Sequence, residues 1–153
     1  MSKLKKAPNF FRMVRKGKLF PKELGYVYFQ EFIDNNRYDI RVAVIGDKAW
    51  AFRRKVRDSD FRASGSGMID YDISVIPISL IEDSFKYTQE IGAQSIAYDY
   101  VKNFRGEYLL VEISYGFSGE AIFNCDGYWN RELIWNAEKL WPEYEILKNF
   151  IDE

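Results

Sequence analysis

Two carboxylates sit where carboxylates are costly. Asp99 lies inside SIAYDYV (residues 95–101) and Glu112 inside EYLLVEISYGF (residues 107–117), each among apolar neighbours. A carboxylate in an apolar strand is unfavourable unless it is paired or metal-bound. A hairpin turning through Lys102–Gly106 puts Asp99 opposite Leu109, with Glu112 about 10 Å further along at ~3.3 Å per residue. In that register Glu112 faces the other side of the sheet. A slip or bulge of one residue brings both carboxylates to one face. On a common face they suit one hard divalent ion, held directly or through phosphate oxygens. On separate faces each is an outward residue of a half-exposed strand. The sequence alone leaves both registers open.

Arginine is the second theme: Arg41, Arg53, Arg54, Arg57 and Arg62. Arg41 and Arg53 are symmetric about a turn at Asp47, so a hairpin there lets them face a common cavity. Adjacent like charges need an anion between them, and a polyphosphate or acyl phosphate is such an anion. The plain alternative is a set of solvated bases near Asp58 and Asp60.

Composition narrows the chemistry. The 153 residues contain no histidine and one cysteine, Cys125. That excludes a disulfide framework, a Cys/His zinc site within one chain, and every His-dependent mechanism. Lys+Arg is 22 against 23 Asp+Glu, a formal net charge of −1. No global positive field is available to hold nucleic acid, so none is expected as a partner. No apolar run is long enough to span a bilayer, and the Lys-rich start has no apolar stretch behind it; the expectation is a cytoplasmic chain with no membrane partner. Hydrophobic residues at 47% and aromatics at 18% provide for a core rich in rings.

The elements that must position these residues follow from pattern. Residues 1–25 are a basic lead with Phe10, Phe11 and Phe20 interspersed. Gly25–Ile33 reads as a buried strand. Residues 39–45 and 49–54 form a hairpin around Gly46-Asp47-Lys48. Residues 58–72 are a polar, glycine-rich loop. Ser79–Gly92 is the best helix, with Gly92 as its stop. The two strands carrying Asp99 and Glu112 follow, then a loop over 116–130 and a terminal helix over 131–151 broken by Pro142. The expected class is α+β: a mainly antiparallel sheet flanked by helices.

The order of these pieces sharpens the reading. QEFI (Gln30–Ile33), DIRVAVIGDKAWAFRR (Asp39–Arg54), DFRASGSG (Asp60–Gly67), a helix, YDYV (Tyr98–Val101) and VEIS (Val111–Ser114) together resemble the C-terminal half of ATP-grasp ligases. The likeness is greatest to the branch of glutathione synthetases and ribosomal-protein glutamate ligases, and it spans residues 26–119. It implies that residues 26–153 are the C-terminal ATP-grasp subdomain and that 1–25 are the remnant of a missing N-terminal one, since no Gly-rich phosphate loop precedes Gly25.

The resemblance also implies roles. Glu31 and Phe32 match the hinge that reads the adenine edge, and Asp39 the acidic residue near the ribose. Arg62 and Ser64 match the family's phosphate-binding Arg-x-Asn, with Ser in place of Asn. Asp99 matches the first magnesium ligand, Glu112 the bridging one, and Ser114 stands where an Asn ligand is usual. Arg41 and Arg53, with Arg62, match arginines facing the transferred phosphate and the acyl phosphate. The implied cofactors are ATP and Mg2+, with Mn2+ as the alternate ion. The implied partner is a carboxylate-bearing substrate, joined to an amine or a thiol, and the loop over 115–130 is the segment expected to touch it. The aromatics of the lead would then be interface surface, which implies self-association of the isolated piece. The alternative is a catalytically inactive ATP-grasp remnant serving as a nucleotide-binding or protein-interaction module.

Overall fold

Period-two alternation makes the centre of the molecule a sheet. Ile40, Val42 and Val44 point to one side of a strand over Tyr38–Ile45 (β1), and Asp39, Arg41, Ala43 and Ile45 to the other. The computed structural model describes residues 27, 29–34, 36–57, 63, 65 and 67–151. The chain forms two compact units, Met1–Phe32 and Ile33–Glu153. In the first, residues 27 and 29–32 are irregular and exposed. The strand expected over Gly25–Ile33 is therefore not found among the described residues. An apolar run left in water gains nothing from the extended form that burial on a sheet would favour. The lead over 1–25 lies outside the described residues.

In the second unit, β1 is followed by β2 (Lys48–Lys55), β3 (Ile69–Asp70), a 3-10 turn at Ile73–Val75, α1 (Ile78–Ile91), β4 (Ser95–Lys102) and β5 (Tyr108–Ser114). Then come α2 (Gly119–Phe123), β6 (Tyr128–Asn130), β7 (Trp135–Asn136) and α3 (Pro142–Ile151). The seven strands form one sheet in the order β5-β4-β1-β2-β6-β7, with β3 also on β2, and every pairing is antiparallel. This is the α+β class expected. The β1–β2 turn needs only Gly46-Asp47; Gly46 has φ 58°, which a side chain disfavours, and Lys48 already belongs to β2.

Each face of the sheet has its own core. On one, α1 lays Leu80, Ile81 and Phe85 over Ile40, Val42, Val44, Ile96, Tyr98 and Tyr100. Two hydroxyl pairs fix its register: Ser84 Oγ lies 2.9 Å from Tyr100 Oη, and Thr88 Oγ1 lies 2.9 Å from Tyr98 Oη. Ser84 and Thr88 spend their own protons on the carbonyls of Leu80 and Ser84, so the tyrosines donate. Gly92 ends the helix in the left-handed conformation, as the pattern predicts. On the other face, Ala43, Ile45, Trp50, Phe52 and Ala97 pack against Ala121, Ile122 and Cys125 around α2.

The C-terminal fifth departs from expectation. Residues 116–130 hold α2 and β6 rather than loop alone, and 131–151 is not one interrupted helix. Trp129 and Trp135 pair edge-on at 4.5 Å across β6 and β7, which burial of two indoles favours over helix. Pro142 does not break a helix; it starts α3, at the position where its missing N–H costs nothing. No helix among the described residues is long and apolar enough to cross a membrane.

Candidate functional site

The register of β4 and β5 decides whether two carboxylates meet. From the turn, Lys102 pairs with Tyr108, Val101 with Leu109 and Tyr100 with Leu110. The ladder then shifts by one residue, and Asp99 pairs with Glu112. Val111 is the extra residue of a β-bulge. Without it Glu112 would point to the α1 side. With it, Asp99 and Glu112 are direct neighbours on the α2 side, and Ser114, opposite Ala97, lies one step further along the same face. Asp99 is buried and Glu112 is exposed, with no ion-pair partner among the described residues.

Asp99 is also tied to β1 and β2. It pairs with Arg41 across β4 and β1, and Arg41 sits beside Phe52 rather than Arg53 across β1 and β2. Arg41 Nε donates to Asp99 Oδ1 and Nη2 to Oδ2, both at 2.7 Å. Arg54 Nη2 donates to Asp99 Oδ2 at 2.8 Å and to Asp39 Oδ2 at 2.5 Å, and its Nε donates to Asp39 Oδ1 at 2.8 Å. Asp39, Arg41, Arg54 and Asp99 thus form a charge-balanced quartet on the face that carries Glu112. Burial pushes the Asp39 carboxyl above its usual range against the pull of Arg54, and the Asp99 charge adds to the rise. Sequence pattern alone gives Arg54 no role. The signal was present: it is the residue directly opposite Asp39 in a hairpin whose turn is Gly46-Asp47.

Arg53 does not join this face. It is opposite Ile40 and so projects on the α1 side, where its Nη2 bonds Asp70 Oδ2 at 2.5 Å and its guanidinium lies 4.2 Å from the Tyr38 ring. The shared Arg41–Arg53 cavity is therefore absent, because one residue of register moves a side chain to the opposite face. Arg62 and Ser64 lie outside the described residues. Glu31 and Phe32 are exposed in the first unit.

The donor set bears on magnesium as the ion this face could hold. Asp99, Glu112 and Ser114 are hard oxygen donors, which the ion requires. Among the described residues no three Asp, Glu, Cys or His side chains gather into a cage. Magnesium bound with a nucleotide uses one or two carboxylates and completes its shell with phosphate and water, so a two-carboxylate site fits. Asp99 accepts three hydrogen bonds of the roughly four its oxygens can take, leaving Oδ1 with room. Ser114 Oγ donates to the Gly116 carbonyl at 3.0 Å and is the least free of the three.

Past Arg54 the same face holds a cavity of about 400 Å³ lined by Ile69, Tyr71, Ser118, Glu120 and Asn124. It reaches the segment expected to meet a second substrate. Of that segment's aromatics, Trp129 is core, Phe117 packs against the core, and Tyr115 is exposed. The Cys125 thiol is buried and pushed up to about 12 by that burial, so it is no nucleophile.

No family model matches this chain, and a search of curated proteins finds no match. Among solved structures the chain is similar to the macrocyclase MdnB from Microcystis aeruginosa MRC, with 16% identity and a TM-score of 0.46. The likeness covers 75% of this chain and 38% of that one, so the chain spans well under half of the MdnB length.

Proposed function

We propose that the chain is the metal- and phosphate-handling half of an ATP- and magnesium-dependent ligase, one that joins a carboxylate to an amine or thiol through an acyl phosphate. The observation that carries this reading is the bulge-enforced pairing of Asp99 with Glu112 beside Arg41. The ATP-grasp resemblance of residues 26–119 supplies the nucleotide and, for residues 1–25, the reading as a remnant of the N-terminal subdomain. In the reaction, a substrate carboxylate oxygen bonds the γ-phosphorus while the bond to the β–γ bridging oxygen breaks, releasing ADP. The amine or thiol then bonds the acyl carbon, phosphate leaves, and the nucleophile gives up a proton.

Asp99 and Glu112 would hold the ion, which when bound offsets charge shared between the β- and γ-phosphates. Arg54 is the positioning residue: buried, it fixes Asp39 and Asp99 relative to each other through three bonds. Arg41 is more exposed; with Nε and one Nη2 proton on Asp99, its Nη1 edge is left to donate to the transferred phosphoryl group. Asp39 keeps one acceptor site on each oxygen for the ribose. Arg62 and Ser64 are proposed as phosphate contacts, and Glu31 and Phe32 as the adenine edge. Arg53, on the opposite face, has no part in this site.

Titration calorimetry of the whole chain with ATP, with and without magnesium, tests the reading. Binding should require magnesium and be lost in Glu112→Gln. Magnesium-independent binding, or binding that Glu112→Gln leaves intact, contradicts it. One observation favours a second reading, the inactive nucleotide-binding or interaction module: the quartet is charge-balanced without a metal. In that case nucleotide binds equally with and without magnesium, or not at all.

A further inference from the structure

The far face of the sheet carries a second concentration of charge. Where β1 and β5 begin and β2 and β4 end, a cavity of about 400 Å³ opens on the α1 side. That volume is within the ordinary range for small-molecule pockets. Ile40 and Val75 line part of it with apolar surface. Three cations line the rest: Arg37, Arg53 and Lys102. Among the described residues, Asp70 is the one carboxylate bonded to any of them, and it takes only Nε and Nη2 of Arg53. Arg53 Nη1 has no acceptor among the described residues. Arg37 and Lys102 have no carboxylate partner among the described residues. Lys102 instead lies 5.4 Å from the Tyr108 ring, as Arg53 lies over Tyr38, so both heads are held over aromatic faces at the rim. Asp72 also feels the Arg53 charge but does not line the cavity; among the lining residues and Asp70, two positive charges remain uncompensated. Clustered like charge of this kind is unfavourable until an anion sits in it.

We propose that this cavity binds a small phosphomonoester, its dianionic phosphate held by Arg37, Lys102 and Arg53 and its body against Ile40 and Val75. A phosphomonoester matches the two residual charges, where a carboxylate matches one. Tyr38 and Tyr108 also line the cavity. The site stands apart from the proposed nucleotide face, since Ile40, Arg53 and Lys102 all project opposite to Asp99 and Glu112.

The test is a titration of the whole chain with phenyl phosphate, magnesium-free at pH 7.5, followed by amide chemical shifts, with benzoate as the carboxylate counterpart. Saturable shifts should centre on residues 36–40, 53, 102 and 108. Loss of one charge-assisted contact should weaken binding about tenfold in Lys102→Ala and again in Arg37→Ala. Both residues are exposed, so thermal unfolding of each variant should match the parent. Glu112→Gln, which removes the proposed magnesium ligand, should leave phenyl phosphate affinity unchanged. The proposal is overturned by absence of saturation, by shifts centred on Asp99 and Glu112, by Lys102→Ala binding with parental affinity, or by benzoate binding as tightly as phenyl phosphate.

Discussion

Asp99 and Glu112 face each other across two antiparallel strands because Val111 is left out of the ladder between them. One extra residue thus converts two carboxylates of unrelated orientation into a pair, and it does so beside the quartet of Asp39, Arg41, Arg54 and Asp99. The account rests on that pairing.

Arg54 should matter more to stability than Arg41. Arg54→Met leaves both Asp39 and Asp99 short of a buried partner, and breaking such a pair costs about 3–5 kcal/mol. Arg41→Gln leaves Asp99 bonded to Arg54 and should cost about 1–3 kcal/mol. Urea unfolding of the two variants checks the order; equal losses would mean the quartet is not the structural centre of this face.

Glu112→Gln should fold like the parent. The side chain is exposed and has no ion-pair partner among the described residues, so its unfolding free energy should change by no more than about 0.5 kcal/mol. Any loss of magnesium-dependent nucleotide binding in this variant then reads on the ion and not on the fold.

The hydroxyl pairs under α1 predict a specific cost. Tyr100→Phe and Tyr98→Phe each remove a donor to a buried Ser84 or Thr88 oxygen and should each destabilise by about 1 kcal/mol. Denaturant midpoints measure this. A neutral Tyr100→Phe would mean the hydroxyl pair adds nothing beyond ring packing.

Acid should reveal Asp70. The hydrogen bond from Arg53 holds its carboxyl below the usual 3.8, with help from the Asp72 backbone N–H. The folded state therefore binds this proton less readily than the unfolded chain. The contribution is present in full above pH 3.8 and is lost as pH falls through the folded value. Being a surface pair, it is worth about 1 kcal/mol at most. The stability gap between parent and Asp70→Asn should be constant at neutral pH and close below about pH 3.8. Asp39 has the opposite sign: its raised carboxyl makes the folded state the better proton binder, so its contribution declines as pH rises above 3.8.

Local pattern carried much of this architecture. The β1–β2 hairpin, α1 with its Gly92 stop, and the β4–β5 hairpin are each written in a period or a turn residue. What pattern does not encode is register. A turn over Lys102–Gly106 sets Asp99 opposite Leu109 and leaves the bulged register open; the turn closes over residues 103–107 and a bulge follows, and neither Val111 nor its neighbours signals a bulge by type. The same one-residue sensitivity separated Arg53 from Arg41 and hid Arg54. The short strands β6 and β7 depend on two tryptophans finding each other, a tertiary event with no local signature.

Manganese, in place of magnesium, tests the central pairing most directly. With ATP and substoichiometric Mn2+, paramagnetic broadening of the amide signals should be strongest at residues 98–100 and 111–114, and Glu112→Gln should abolish it. Broadening centred on any other part of the chain, or pattern and intensity unchanged in Glu112→Gln, would contradict the account.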